Sequence, residues 1–239
     1  MTEVTVVTGG SNGIGLGCVQ AAKEKGRKVV NIDIMAEKKP LSDLFIQADL
    51  TQKDQLDAAF DQILSQFDVV GLVNNAGAAI NHDLAQTGLK DFEELVPLNL
   101  IAPMLCTQHV LSSMRKLGWG RIVNIASRVV LGKENRTAYS ATKGGLSSMS
   151  KGWALELASE GITVNTIAPG PIATDLFERA NPPGSPSTEK IRNGVPVKRL
   201  GSVHDVARGV MFFLDQDAGF VTGQTLYVCG GMTIGASGH

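Results

Sequence analysis

The chain has 239 residues, 43% of them hydrophobic and 19% charged, with 27 glycines and a formal net charge of −1. That length suits one α/β core, since single cores stop growing near about 250–300 residues, and the near-neutral charge excludes a general attraction to nucleic acid or an anionic membrane. Cys18, Cys106 and Cys229 form no CxxC pair and the four histidines no HxxxH spacing, so neither a disulfide framework nor a metal site is indicated and a reducing compartment is implied.

The first apolar run begins within four residues of Met1 and lacks a basic leader, and no apolar run reaches the roughly 20 residues needed to span a bilayer. A soluble cytoplasmic protein is expected. Val4–Val7 reads as a strand, and Thr8-Gly9-Gly10-Ser11-Asn12-Gly13-Ile14-Gly15 turns it into a helical pattern reaching about Lys25. The next strand, Val29–Ile34, carries Asp33 near its end. Strand, glycine turn, helix and strand with an acid is the order of a dinucleotide-binding βαβ unit. Glycines at 9, 13 and 15 allow a tight turn and let a pyrophosphate approach the N–H groups and positive dipole of the helix start. Asp33, twenty residues past Gly13, stands where an acid receives ribose hydroxyls. The glycine spacing is GxxxGxG rather than GxGxxG, so a β–α turn that binds nothing is the competing reading.

Phe45–Ala48 is a third strand, closed by Asp49 and Leu50, and Lys53–Gln66 has a helical apolar stripe at Leu56, Ala59, Phe60, Ile63 and Leu64. Val69–Val73 is apolar throughout, as a parallel strand buried on both faces should be, and it ends in Asn74-Asn75-Ala76-Gly77. Residues 91–117 follow a helical pattern that Pro97 and Pro103, on either side of Asn99, should interrupt or bend. Ile122–Ile125, the long helix Tyr139–Ser159, the strand Ile162–Ile167 and the turn Ala168-Pro169-Gly170-Pro171 follow.

From Ile172 to about Arg199 the regular pattern lapses around Pro182-Pro183-Gly184-Ser185-Pro186. A long irregular insertion after a strand's carboxyl end reads as a substrate lid, with a plain surface loop as the alternative. Leu176, Phe177 and Ile191 would give it apolar character. Val203–Leu214 is a helix and Thr225–Val228 a last strand, and the glycine-rich tail 230–239 should be partly ordered at best unless a neighbouring subunit holds it.

Tyr139 and Lys143 lie four apart, on one face of their helix. An ammonium beside a phenol favours the phenolate and brings Tyr139 toward the range of a general acid–base. Ser127, at the end of the preceding strand, faces the same point and suits a hydrogen bond to the oxygen whose proton moves. The constellation suits carbonyl/alcohol interconversion, against a solvated pair on a helix surface.

Thr8–Gly15, Asn74–Gly77, Ser127, Tyr139-x-x-x-Lys143 and Pro169-Gly170 occur in the order seen in the short-chain dehydrogenase/reductase family. The sequence to Gly231 resembles the family's group of chains of about this length. The resemblance implies a single doubly wound Rossmann α/β domain over residues 1–239, with a seven-stranded parallel sheet and a lid at 172–199. It implies hydride transfer between a nicotinamide and an alcohol or ketone, with Tyr139 as acid–base, Lys143 lowering its pKa and holding the nicotinamide ribose, Ser127 orienting the substrate oxygen, and Asn99 supporting a proton path. Beside Gly9, Ser11, Asn12, Gly13, Ile14, Gly15 and Asp33, the cofactor contacts it implies are Asp49 and Leu50 at the adenine, Asn75, Ala76 and Gly77 at its ribose, and Pro169, Gly170, Ile172 and Thr174 toward the carboxamide. Ser127 and Tyr139 are twelve positions apart, one fewer than usual in the family, which shortens the loop at Gly132–Asn135.

Asp33, with no cation in the glycine loop, favours NAD over NADP; Lys38 and Lys39 are the main threat to that inference. An NADPH-dependent 3-oxoacyl-thioester reductase and a non-catalytic nucleotide-binding protein are the alternatives. A small-molecule substrate and a homotetramer are expected, the latter through helices 91–117 and 139–159 and through the last strand. Arg128 and Arg136 are read as solvated rather than as partners of an anion.

Overall fold

The glycine turn, the apolar runs and the polar strand ends build a sheet whose carboxyl edge collects most of the residues named above. In the computed structural model, which describes residues 1–234, the strands are β1 (Thr2–Thr8), β2 (Lys28–Asp33), β3 (Leu44–Gln47), β4 (Phe67–Asn74), β5 (Gly120–Ile125), β6 (Ile162–Pro169) and β7 (Thr225–Val228). They form one seven-stranded sheet in the order β3-β2-β1-β4-β5-β6-β7, with every pairing parallel. The order reverses between β1 and β4, and the carboxyl ends at such a reversal are the place where open α/β sheets receive ligands.

Helices cover both faces. Alternate strand residues such as Val4, Val6, Val30 and Ile32 pack under α2 (Lys53–Gln66), α4 (Ala102–Leu117) and α5 (Thr137–Leu157). Val7, Val29, Val73 and Val123 point the other way, toward α1 (Gly13–Glu24) and α8 (Val203–Phe213). The period-2 alternation of strands thus supplies two apolar layers, which is why these strands read as continuous apolar runs. Leu56, Phe60 and Ile63 on α2 are fully buried, a burial that favours the packed helix by about 1.5–3 kcal/mol per side chain.

Several expectations need correction. Pro97 interrupts the 91–117 pattern, as expected, but by a change of helix type rather than a break, and Pro103 falls in the first turn of the helix that follows. Helix α3 (Leu89–Val96) passes through a π-helical turn, Pro97–Ile101, into α4, and the widened turn absorbs the hydrogen bonds that proline cannot donate. The run Leu89–Leu117 is long and apolar enough to suit a bilayer, yet its Ala102, Cys106, Val110 and Met114 are buried in the core under the sheet.

The segment 172–199 is not structureless. It carries α6 (Asp175–Ala180) and α7 (Pro186–Gly194), capped by Thr174 Oγ1 and Ser185 Oγ, which accept from the N–H of Phe177 and Thr188. Such short helices owe their ends to caps rather than to an apolar period. Strand β2 stops at Asp33 and leaves Ile34 61% exposed, while α5 begins two residues before Tyr139.

The tail is held through Ile234 by its own chain: Val197 N–H donates to the Gly230 carbonyl at 3.3 Å, and Ile234 N–H to that of Gly231 at 3.1 Å. Residues 235–239 and the side chain of Leu176 lie outside the described residues. The three cysteines are free and buried.

Candidate active site

The turn after β1 is built by contacts that side chains would block. Gly9 has φ +67° and Gly13 φ +53°, left-handed values that glycine adopts without cost. A Cβ on Gly15 would lie 2.0 Å from the Gly9 carbonyl oxygen. Asn12 caps α1, its Oδ1 accepting from Gly13 N–H at 2.8 Å. The first-turn N–H groups of α1, Ile14 and Gly15 among them, therefore lie at the carboxyl end of β1 with the positive end of the helix dipole. Asp33 closes the turn: its carboxylate accepts from Ser11 N–H and Met35 N–H, both at 2.9 Å, while Ser11 Oγ donates to the Met35 carbonyl at 2.7 Å.

The ends of β1 and β4 are stitched together. Thr8 Oγ1 accepts from the N–H of Asn75 at 3.0 Å and of Ala76 at 3.1 Å. Asn75 Nδ2 donates back to the carbonyls of Thr8 and Gly9, both at 3.0 Å. Gly77 roofs the chemistry: a Cβ there would sit 2.9 Å from Asn99 Oδ1 and 3.1 Å from Lys143 Nζ.

Beneath that roof Asn99, in the π turn and fully buried, accepts from Ala78 N–H at 3.0 Å and donates to the Ala78 carbonyl at 2.9 Å and to Thr142 Oγ1 at 3.1 Å. Thr142 in turn donates to the Tyr139 carbonyl at 2.9 Å. Lys143 is 4% exposed and its Nζ donates to the Ile125 carbonyl at 2.9 Å. Ser127 follows β5, where its Oγ accepts from Val129 N–H at 3.3 Å and caps a short 3-10 turn, Arg128–Leu131.

The electrostatics differ from the simple pairing that the spacing suggests. Burial pushes the Tyr139 phenol up from its ordinary value, while the Ser127 hydroxyl and the Arg136 guanidinium pull it back. Burial pushes the Lys143 ammonium down to about 8. In the protein alone, then, the groups that favour the phenolate are Ser127 and Arg136, and Lys143 spends a proton on a β5 carbonyl.

The outer contacts divide. Pro169 pairs with Val228, and Gly170 N–H donates to the Val228 carbonyl at 2.9 Å. The Ile172 side chain is buried in the core under α8, and Leu50 is likewise a core residue, so each can offer a ligand little beyond its backbone. Asp49 is occupied locally, its Oδ1 accepting from Thr51 N–H at 2.9 Å and Thr51 Oγ1 at 2.8 Å. Thr174 packs near Gly13, whose Cβ would lie 3.6 Å from its Cγ2, and Asn12 Nδ2 donates to Asp175 at 3.0 Å. These contacts bring the start of α6 onto the glycine turn. Thr142 and Asp175 carry no role in the sequence motifs, Thr8 enters them only as the residue that opens the glycine turn, and Arg136 only as a solvated cation. Of Thr142 and Asp175, only Thr142 left a sequence signal, lying three residues from Tyr139 on one helix face.

A family model described as "Enoyl-(Acyl carrier protein) reductase" matches residues 9–233. The chain is 36% identical over 243 residues to the (2S)-[(R)-hydroxy(phenyl)methyl]succinyl-CoA dehydrogenase subunit of Thauera aromatica, covering 97% of each chain. It is 36% identical over 248 residues to a 3-oxoacyl-[acyl-carrier-protein] reductase of Synechocystis, again over 97% of each. Among solved structures, the ligand-free aldohexose dehydrogenase of Thermoplasma acidophilum superposes with a TM-score of 0.93 at 27% identity, over 100% of this chain and 96% of that one. ElxO with NADP bound superposes with a TM-score of 0.90 at 31% identity, over 97% and 99%. The glycine turn, the Tyr139–Lys143 helix and the doubly wound parallel sheet agree with these matches: the chain belongs to the short-chain dehydrogenase/reductase family of oxidoreductases.

Proposed function

We propose that the protein is an NAD(H)-dependent oxidoreductase that interconverts a secondary alcohol and a ketone. The observation that carries this reading is the gathering of Ser127, Tyr139, Lys143 and Asn99 at the carboxyl ends of β4 and β5, beside a turn whose Gly15 has no room for a side chain. A bound nicotinamide supplies the acceptor or donor of the hydride that leaves or joins the carbinol carbon.

The residues handle the proton. Ser127 holds the substrate oxygen, and in the oxidation direction Tyr139 as phenolate takes the hydroxyl proton. Lys143 would hold the nicotinamide ribose and add positive charge near that phenolate. Asn99 fixes the path behind it by clamping Ala78 and Thr142. The cradle at Gly9–Gly15 fits a pyrophosphate, because close backbone approach and a helix N-terminus coincide there. Asn75, Ala76 and Gly77 line the adenosine side of the site, and Pro169, Gly170, Ile172 and Thr174 its carboxamide side. The chain works as a single domain whose 172–199 segment lids the substrate, and four copies assemble through α4, α5 and β7. Its place is the cytoplasm.

A second reading is favoured by the similarity to the Synechocystis reductase and to NADP-bound ElxO: a 3-oxoacyl-thioester reductase using NADPH. A non-catalytic nucleotide-binding role has no use for the Asn99 and Lys143 arrangement. Initial rates followed by nucleotide absorbance, across secondary alcohols, ketones and 3-oxoacyl thioesters with both nucleotides, separate the three. Turnover of thioesters alone with NADPH would replace the first reading with the second, and no turnover of any substrate would favour the third.

A further inference from the structure

Three cations crowd the loop between Ser127 and Tyr139. Arg128 opens the 3-10 turn directly after Ser127, Lys133 follows Gly132, and Arg136 is the N-cap residue of α5, one helical turn before Tyr139. Gly132 at φ 104° and Asn135 at φ 58° fold the chain back between them. None of the three forms an ion pair with an acid among the described residues, the loop's own Glu134 included. Arg136 gives one N–H to the Asn135 carbonyl at 3.0 Å and keeps the rest of its fork.

The charges act on one another and on the site. Lys133 is pushed below its ordinary range by desolvation first and then by Arg136 and Arg128, and Arg136 is close enough to pull the Tyr139 phenol down. Like charges gathered without an acid repel one another, and freely solvated side chains would spread apart. Here all three fall within nine positions of the one loop that joins Ser127 to the Tyr139 helix.

We propose that Arg128, Lys133 and Arg136 receive a carboxylate carried by the substrate itself, so that the alcohol turned over is a hydroxy acid and its ketone an oxo acid. The inference rests on the oxidoreductase reading above. An arginine fork matches a carboxylate with two parallel hydrogen bonds, and a lysine adds a compact charge. Arg128 adjoins Ser127 and Arg136 acts on Tyr139, so the anion sits a few bonds from the reacting carbon. The phosphates of a coenzyme thioester, many bonds from its carbonyl, would not reach this loop while that carbonyl stood at Tyr139. The carboxylate takes no part in the redox step; it fixes which end of the substrate faces the loop.

The test is the ratio of kcat/KM for a free acid to that for its methyl ester, measured with 3-hydroxybutanoate and 3-hydroxy-3-phenylpropanoate in the wild type, Arg136→Gln and Lys133→Gln. The ratio within one variant cancels any loss common to both substrates, and NADH binding and thermal melting check that each variant folds. A wild-type ratio of at least ten for one of the acids, falling tenfold or more in either variant, is the expected result. A ratio near one in the wild type, a ratio unchanged in both variants, turnover of neutral alcohols alone, or turnover of thioesters in place of free acids would overturn the proposal. If nothing is turned over with either nucleotide, the oxidoreductase reading fails separately. The anion site is then read by calorimetric titration of 3-hydroxybutanoate into NADH-saturated protein: binding lost in a variant carrying both Lys133→Gln and Arg136→Gln keeps the site, and no binding to the wild type overturns it.

Discussion

Asn99 Nδ2 donates to Thr142 Oγ1 across 3.1 Å, joining the π turn between α3 and α4 to the helix that carries Tyr139 and Lys143. The bond fixes the lateral position of α5 against the π turn. Through Ala78, which Asn99 holds at both N–H and carbonyl, it also positions the strand end that roofs Lys143.

Replacing Asn99 by Leu keeps the branched shape but leaves the Ala78 N–H and the Ala78 carbonyl short of a partner in a buried place. Each unsatisfied buried group costs about 1–3 kcal/mol, and each kcal/mol lost lowers the melting temperature of a chain of this size by about 2–4 °C. A melt several degrees below wild type is expected, together with reduced turnover. A variant that melts with the wild type would show that these bonds do not hold the turn.

Tyr139→Phe removes the transferable proton and keeps the ring. Nucleotide binding should persist, read by NADH fluorescence, while kcat falls by about 10²–10⁴, the usual contribution of general acid–base catalysis. A variant retaining more than a tenth of wild-type kcat would remove Tyr139 from the role of acid–base.

Gly15→Ala tests the cradle. The added carbon would lie 2.0 Å from the Gly9 carbonyl oxygen and 2.5 Å from Asn75 Nδ2, and a backbone atom cannot swing away as a side-chain end can. Overpacking of this kind costs about 1–3 kcal/mol, and the turn that faces the pyrophosphate must open to relieve it. We expect the Kd for NADH to rise at least tenfold with a lower melting temperature. Unchanged affinity would place the nucleotide elsewhere.

The order of strands and helices was legible in the sequence because parallel strands buried on both faces read as apolar runs and α2 has a clean helical stripe. The positions of Ser127, Tyr139 and Lys143 followed from one local spacing. What stayed hidden depends on partners distant in sequence: Thr8 meets Asn75 and Ala76 across more than sixty positions, and Asn99 meets Thr142 across 43. The helices α6 and α7 were missed because capping by Thr174 and Ser185, rather than apolar periodicity, defines them. The partner of Lys143 was missed because a lysine four residues from a tyrosine says nothing of the Ile125 carbonyl beneath it.

The pH dependence has a definite sign. Burial raises the Tyr139 phenol above its ordinary value, so alcohol oxidation, which needs the phenolate, should climb with pH from neutral toward the alkaline side. Ketone reduction, which needs the phenol, should stay level there and fall only at the alkaline end. Arg136 helps hold that phenol down, so Arg136→Gln should move the oxidation limb to higher pH. Initial rates in both directions across neutral to alkaline pH check this; an oxidation profile that is flat or falls would assign the rate to another group.

The nucleotide preference follows from what surrounds Asp33. Its two oxygens accept from Ser11 N–H and Met35 N–H at 2.9 Å, which anchors the carboxylate at the edge of the glycine turn where the adenosine ribose is expected. A second carboxylate stands close by: Glu37 accepts from Asn31 Nδ2 at 3.0 Å, and that same amide donates to Ser11 Oγ at 3.1 Å. A 2′-phosphate would therefore meet two like charges in a partly desolvated corner, whereas ribose hydroxyls can donate to either. The compensating cation is missing from the turn itself, since Asn12 points its amide to Asp175. Lys38, the nearest basic residue in sequence that could oppose this, acts on Asp175 as well. We expect kcat/KM to favour NAD over NADP at least tenfold, about 1.4 kcal/mol, and the Asp33→Ala, Asn12→Arg double variant to narrow or reverse that ratio by removing one anion and supplying a cation. Because the variant also loses the ring of bonds to Ser11 and Met35, its efficiency with NAD should fall even where that with NADP rises. Equal wild-type efficiency with both nucleotides would mean that Asp33 serves the turn alone and does not face the ribose.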